Sequence, residues 1–221
     1  MMSFELLLDP VTDARIRAEW QPLLDAGLPS QARHTGASNA PHLTLLAARA
    51  VHADLGPAEA PGAQAALDAD ATAALEADAG SGPGLEHRPL PLTLQGFAVF
   101  GQPPSGLVLA RLVVVSPRLL ELHAAVHRRA RGVVDLSAFS RPDAWLPHVT
   151  LASRLTPAQL ADALTALAAE GWATHDLMAG TSWPSFAGPL RHWNGDTKRL
   201  TLVPPGPPAT TSDTDSAIRP R

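Results

Sequence analysis

Cysteine and tyrosine are absent from this chain, and lysine occurs once, at Lys198. Without cysteine there is no disulfide, no thiolate metal site and no cysteine nucleophile. No segment approaches the roughly 20 unbroken apolar residues that a membrane-spanning helix needs. The opening MMSFELLLDPVTDARIR places acidic residues among its first nine positions and has only a short apolar run, unlike a signal peptide. Together these absences lead us to expect a cytoplasmic protein with no membrane partner. A phosphate-cradling P-loop, a dinucleotide-binding glycine fingerprint and a Gly-x-Ser-x-Gly elbow are also missing, which removes three common nucleotide and hydrolase chemistries.

Net positive charge is lacking as well. A formal charge of −4 argues against a protein that coats the nucleic-acid backbone. Its distribution matters, however. Seven acidic residues (Asp54, Glu59, Asp68, Asp70, Glu76, Asp78, Glu86) and no Lys or Arg fall between Ala50 and His87, which leaves 14 acidic residues facing all 17 basic ones elsewhere. A local basic cleft that takes a terminal or small phosphate fits this pattern better than a surface for a long polyanion.

What is present is enough for a core: 221 residues, 45% of them apolar. The order of elements then repeats. FELLLDP (4 to 10) reads as a strand, followed by a helix capped by Asp9 with Pro10 in its first turn, striped by Ile16, Trp20 and Leu23, and ended by Gly27. A loop leads to APHLTLLA (40 to 47). Later LVLARLVVV (107 to 115) reads as a strand, followed by a helix capped by Ser116 with Pro117 in its first turn, lined by Leu119, Leu122, Val126 and Ala130, and stopped by Gly132. A second loop leads to LPHVTLAS (146 to 153). His42 and His148 stand 106 positions apart, and the two helix-starting prolines 107. Such self-similarity marks a duplicated unit.

Further elements follow the same logic. Thr156 and Gln159 form a capping box around Pro157, ahead of Leu160, Leu164 and Leu167. Residues 64–80 are alanine-rich and read as a helix, 90–101 and 197–204 as strands, and 174–180 as a weaker strand. Glycine-marked loops are expected at 56–62 and 80–84. The final 204–221, rich in Pro, Ser, Thr and Asp, reads as a disordered tail. The expected architecture is α+β: one bilobal domain over 1–203, with duplicated halves of about 3–100 and 101–203. Each lobe has a mainly antiparallel sheet with flanking helices, and a pseudo-twofold sets an active cleft between them.

Along a strand, side chains alternate faces, so His42 and Thr44 share one face and His148 and Thr150 another such face, backed by apolar anchors. Two imidazoles converging on one site suit general acid and base catalysis at phosphorus: one takes a proton from the attacking hydroxyl or water, the other protonates the departing oxygen. Threonine hydroxyls can donate to the non-bridging oxygens. Arg154, six residues beyond His148, falls on the same face if the strand stays regular, and is the candidate to neutralise developing charge. No metal or other cofactor is called for.

The motifs PHLTL and PHVTL resemble the paired His-x-Thr-x motifs of the two-histidine phosphoesterase superfamily, and in particular its 2'-5' RNA ligase-like branch. Strand, helix and motif order agree with that family over about residues 3 to 203. The resemblance implies His42 and His148 as the catalytic pair and Thr44 and Thr150 as their phosphate-binding partners. It also implies a bilobal α+β fold and activity on 2',3'-cyclic phosphate ends of RNA, on small cyclic nucleotides, or on related 2'-5' bonds. The acidic stretch after the first motif departs from the family pattern and bears on any extended RNA-binding surface. Which histidine is acid and which base stays open here. No protein partner can be inferred.

Other features have plainer readings. His123 and His127, one helical turn apart, match paired metal ligands in spacing, but Arg128, Arg129 and Arg131 would repel a cation, so a solvated helix face is expected. The arginines themselves suit the last turn of a helix. His34, His52, His87, His175 and His192 are isolated. Phe97 is the aromatic candidate for stacking a base in the cleft, although strand aromatics more often serve the core. Two rivals remain: a non-catalytic protein that binds RNA ends or nucleotides at the same phosphate site, and a metal-dependent hydrolase using the other histidines.

Overall fold

The computed structural model of the chain describes residues 1–36, 38–52, 90–102, 104–171 and 183–203. The helix expected over 64–80, the loops at 56–62 and 80–84, the weaker strand at 174–180 and the tail at 204–221 lie outside the described residues.

Strand β1 (Met2–Leu8) leads into helix α1 (Pro10–Asp25). Asp9 starts the helix by accepting the amides of Val11 and Thr12, and Pro10 fills the first turn, where no amide is needed. The stripe Ile16, Trp20 and Leu23 is buried. After β2 (His42–His52) come β3 (Pro91–Gln102) and β4 (Gly106–Val113). Helix α2 (Pro117–Arg129) is capped by the Ser116 hydroxyl, which accepts the Leu119 amide. The loop expected after α2 holds a strand, β5 (Arg131–Leu136), which pairs with β2. Then come β6 (His148–Leu155) and α3 (Pro157–Ala169), the latter opened by the reciprocal Thr156–Gln159 capping box. Strands β7 (Trp183–Asn194) and β8 (Arg199–Leu202) complete the described chain.

Strand β7 escapes the sequence patterns because it carries Pro184 and Pro189, residues that cannot donate to a ladder. It is nevertheless central, pairing with β1, β3 and β8. Gly188 makes this possible: a Cβ at that position would lie 2.9 Å from the Leu8 carbonyl oxygen, so β1 passes where only glycine leaves room.

Among the described residues all pairings are antiparallel and form one mixed α/β architecture around an eight-stranded sheet in the order β1-β2-β6-β4-β3-β7-β8, with β5 on β2. Because β7 also pairs with β1, six of the strands close into a ring. Two joints of that ring are thin. β2 meets β6 at the pair Leu43↔Val149, and β3 meets β7 over 91–94. Pairing also crosses the middle of the chain, since β3 joins β4 while β7 joins β1.

The core lies between the sheet and its helices, with α1 against α3 and β6, and α2 against β2. Phe4, Leu43, Leu45, Leu94, Leu109, Val149 and Leu151 meet the helical stripe there, each contributing about 1.5–3 kcal/mol by leaving water. A fully buried ion pair, Arg111 Nε to Glu19 Oε2 at 2.8 Å, is set into it, with the guanidinium 3.9 Å over the Phe97 ring. Among the described residues no helix is long and apolar enough to cross a membrane.

Candidate active site

The thin joint between β2 and β6 is where the two repeated motifs meet. Leu43 and Val149 form the bridging pair and point into the core, 0% and 1% exposed. Their neighbours therefore turn to the opposite face. His42 and Thr150 flank the bridge on one side, Thr44 and His148 on the other, and all four are half-buried.

Each ring is oriented by its own backbone. His42 Nδ1 lies 2.8 Å from the Ala40 carbonyl oxygen, and His148 Nδ1 lies 2.6 Å from that of Leu146. A carbonyl only accepts, so Nδ1 carries the proton in both neutral rings and Nε2 is the nitrogen without one. In the neutral ring Nε2 is a base; once protonated it is an acid. The same local geometry serves both roles. The proline between acceptor and histidine in each motif, Pro41 and Pro147, holds this bend.

A joint with a single bridging pair leaves nearby strand carbonyls in need of donors. Two indoles supply them reciprocally. Trp20 Nε1, on α1, donates to the Thr150 carbonyl at 3.1 Å, and Trp145 Nε1 donates to the Thr44 carbonyl at 3.0 Å. The loops before the motifs cross over in the same way: Ser153 N donates to Pro29 O and Ser137 N to Ala47 O. Trp145 in turn stacks on His123 at 3.9 Å between centroids, and His123 Nε2 reaches the Ser140 carbonyl. His127 Nε2 is 3.3 Å from the Leu45 carbonyl.

His123 and His127 are thus not a solvated helix face. Their helix packs on β2, His123 is 2% exposed, and both rings satisfy backbone carbonyls that frame the first motif. Burial, with the charge of His127 beside it, pushes the His123 pKa down to about 4 despite its hydrogen bonds. Burial lowers that of His127 too. Among the described residues no three His, Asp or Glu side chains gather into a metal-binding group.

The two catalytic candidates differ in their neighbours. His42 Nε2 faces Glu5 Oε1 at 3.7 Å. Glu5 is itself buried, bound by Arg191 Nε at 2.8 Å and by the Ser3 hydroxyl at 2.6 Å. His148 packs edge-on against Phe100, ring centroids 4.6 Å apart. Burial lowers the His148 pKa; the Leu146 carbonyl opposes this, and the charge of His42 adds to the lowering.

Phe97 and Arg154 lie elsewhere. In β3 the register shifts between Gln95 and Phe97, around Gly96, so the faces exchange. Phe97 then packs on the core beneath Arg111, and Phe100 takes the face next to His148. Arg154 follows two irregularities in β6, where Leu151 and Ala152 are both buried and the β4 register slips, so alternation no longer carries from His148. It is exposed, in the left-handed region at φ 61°, and lines a depression of about 240 Å³ with Ser30, Arg33 and His34. A larger cavity of about 630 Å³ opens beside His42, lined by Glu5, Arg33, His34, Arg191, Trp193 and Lys198 among others. Glu5, Arg191, Trp20, Trp145 and Phe100 belong to the site or its support and carried no motif signal, because their partners come from distant strands.

The family model described as the 2'-5' RNA ligase superfamily matches residues 12–178. The chain belongs to that superfamily. Its members are two-histidine phosphoesterases, an enzymatic class, and the match spans both histidine motifs. Among solved structures, the chain is similar to Usb1 from Kluyveromyces marxianus at 15% identity and a TM-score of 0.44, with 92% of this chain and 97% of that one covered. The structure of the same yeast protein with uridine monophosphate gives 15% identity and a TM-score of 0.45, covering 92% and 98%. No curated protein matches the chain.

Proposed function

We propose that this protein is a phosphoesterase acting on 2',3'-cyclic phosphate ends of RNA or on cyclic nucleotides, or running the related 2'-5' ligation in reverse. Its two histidines act as base and acid. The observation that carries this reading is the matched anchoring of His42 and His148: each Nδ1 bonded to the carbonyl two residues before it, each Nε2 left for chemistry, on neighbouring strands. In hydrolysis, one Nε2 takes a proton from water as its oxygen bonds to phosphorus. The other Nε2 gives a proton to the 2' or 3' oxygen as its bond to phosphorus breaks. Thr44 and Thr150 donate to the non-bridging oxygens.

His148, whose neutral form is favoured by burial, suits the accepting role, leaving His42 to supply the proton. The reciprocal Trp20 and Trp145 contacts support two halves related by a pseudo-twofold with the site between them.

Product analysis on a panel of 2',3'-cyclic nucleotides, cyclic-phosphate oligonucleotides and 2'-5' dinucleotides tests the proposal. Wild type should turn over at least one substrate class in the presence of a chelator. His42→Ala and His148→Ala should each lose about 10²–10⁴-fold or more in kcat/KM. Substantial turnover in either single variant would overturn the two-histidine reading. Binding without product after long incubation would identify a phosphate-binding protein instead, and activity lost to chelator and restored by zinc or manganese would identify a metal-dependent hydrolase.

A further inference from the structure

The surroundings of His42 extend well beyond what a reacting phosphate needs. The cavity of about 630 Å³ beside it falls within the roughly 300–1,000 Å³ typical of small-ligand sites. Its lining is cationic and carries one aromatic face: Arg33, Arg191 and Lys198, with the half-buried Trp193 ring 5.9 Å from the lysine ammonium. Among the described residues Glu5 is the one carboxylate on that lining, and Arg191 already binds it at 2.8 Å. Arg33 and His34 line both this cavity and the neighbouring depression of about 240 Å³, so they form the ridge between the two. Beyond the ridge stands Arg154.

Backbone conformation adds an independent observation. Among the described residues three that are not glycine have positive φ: Asp135, Arg154 and Lys198. Two of these three are the cations that end the series, Lys198 in the cavity and Arg154 in the depression. At Lys198 this conformation closes the β7–β8 turn that the Asn194 side chain opens by accepting the Asp196 and Thr197 amides, whereas Arg154 holds it inside strand β6, an uncommon position for a residue other than glycine. At Arg154 the constraint is tight from behind as well, because β4 approaches so closely that a Cβ on Gly106 would lie 2.6 Å from the Arg154 Cα.

We infer that the cavity beside His42 and the depression at Arg154 form one track for the RNA strand adjoining the reacting phosphate, so that the preferred substrate is an oligonucleotide end and not a mononucleotide. A nucleobase stacks on Trp193. The next phosphate is held by Lys198 and Arg33, and the one after it by Arg33 and Arg154 across the ridge. This rests on the phosphoesterase reading for the identity of the reacting group, but not for the binding of the strand. It also gives the two sides of the site different tasks, with the strand on the His42 side and the smaller group on the His148 side, where Phe100 closes in.

The test compares kcat/KM for a 2',3'-cyclic mononucleotide with that for a trinucleotide ending in the same cyclic phosphate, alongside anisotropy binding of a labelled trinucleotide 3'-phosphate over a salt series. Wild type should prefer the trinucleotide by about tenfold or more, and the preference should shrink as salt rises. Arg33→Ala and Arg154→Ala, both at exposed positions, should each lower the trinucleotide-to-mononucleotide ratio several-fold. Each should also reduce the slope of log affinity against log salt by about 0.7. A wild-type ratio near one, or a ratio and a salt slope that neither substitution moves, overturns the track. Trinucleotide binding with the expected slopes but no turnover of any substrate supports the track while removing the phosphoesterase reading. Mononucleotide turnover with a ratio near one does the reverse.

Discussion

His42 and His148 come from the same five-residue pattern and are anchored by the same bond, yet their surroundings differ. His42 looks across at a buried carboxylate and opens onto a polar cavity. His148 meets the edge of Phe100, and burial opposes its charge. The difference comes from the neighbouring strands. Around His42 the partners arrive from β1 and β7; around His148 the ring comes from β3. A short motif can dictate how an imidazole is tethered, because the acceptor is two residues away. It cannot dictate the electrostatics, which are supplied across the sheet.

The sharpest way to break the comparison is at Glu5. Glu5→Ala leaves the Arg191 guanidinium buried without its carboxylate and should cost about 3–5 kcal/mol in urea unfolding. On the other side Phe100→Leu should cost less than about 1.5 kcal/mol. Equal losses would mean that the two sides are supported alike.

Next in size are the helix caps that stand 107 positions apart. Ser116 caps α2 through one amide. Asp9 caps α1 and also binds the Thr12 hydroxyl, the Ser185 hydroxyl and the Phe186 amide, tying the helix to β7. Burial works against its charge, but those hydrogen bonds prevail and hold the carboxyl well below the usual range. Asp9→Ala should therefore cost about 2 kcal/mol and Ser116→Ala about 1. Thermal unfolding of the two variants side by side measures the difference.

A third histidine environment gives a pH signature. His123 is neutral in the fold down to about pH 4, while the unfolded chain takes up its proton near 6.5. Between those values the unfolded state binds more protons, so stability is complete above 6.5 and declines as pH falls toward 4. Urea midpoints at pH 7.5 and 5 should differ in that sense, and a flat profile would contradict the burial of this ring. The smallest effect concerns His148 itself. Phe100→Ala opens the ring to water and should raise its NMR titration midpoint toward the ordinary imidazole value, against the lowering that burial imposes in the wild type.

Much of this was legible beforehand. Periodicity and caps located β1, α1, α2 and α3, and the alternation of side chains along a strand put His42 with Thr44 and His148 with Thr150 on a common face within each motif. Departures arise where the chain breaks its own regularity. Gly96 inserts a shift that sends Phe97 to the core and Phe100 to the site. The irregular end of β6 takes Arg154 out of line with His148. Prolines disguise β7, whose ladder survives because Pro184 and Pro189 sit where the ring's joints are short or shift. His123 and His127 look polar and surface-bound in a helical projection, but β2 covers them.

The linear chain alone determined the tethered imidazoles, their hydroxyl partners and the capped helices, because each depends on residues within about four positions of one another. Only the closed ring of strands decided which charges and rings surround each histidine, where Arg154 points its reach, and which tryptophan serves which threonine. Those contacts join residues far apart in the chain, from Glu5 beside His42 and Phe100 beside His148 to Trp20 on Thr150 and Arg191 on Glu5, and one shift of register reverses every face beyond it.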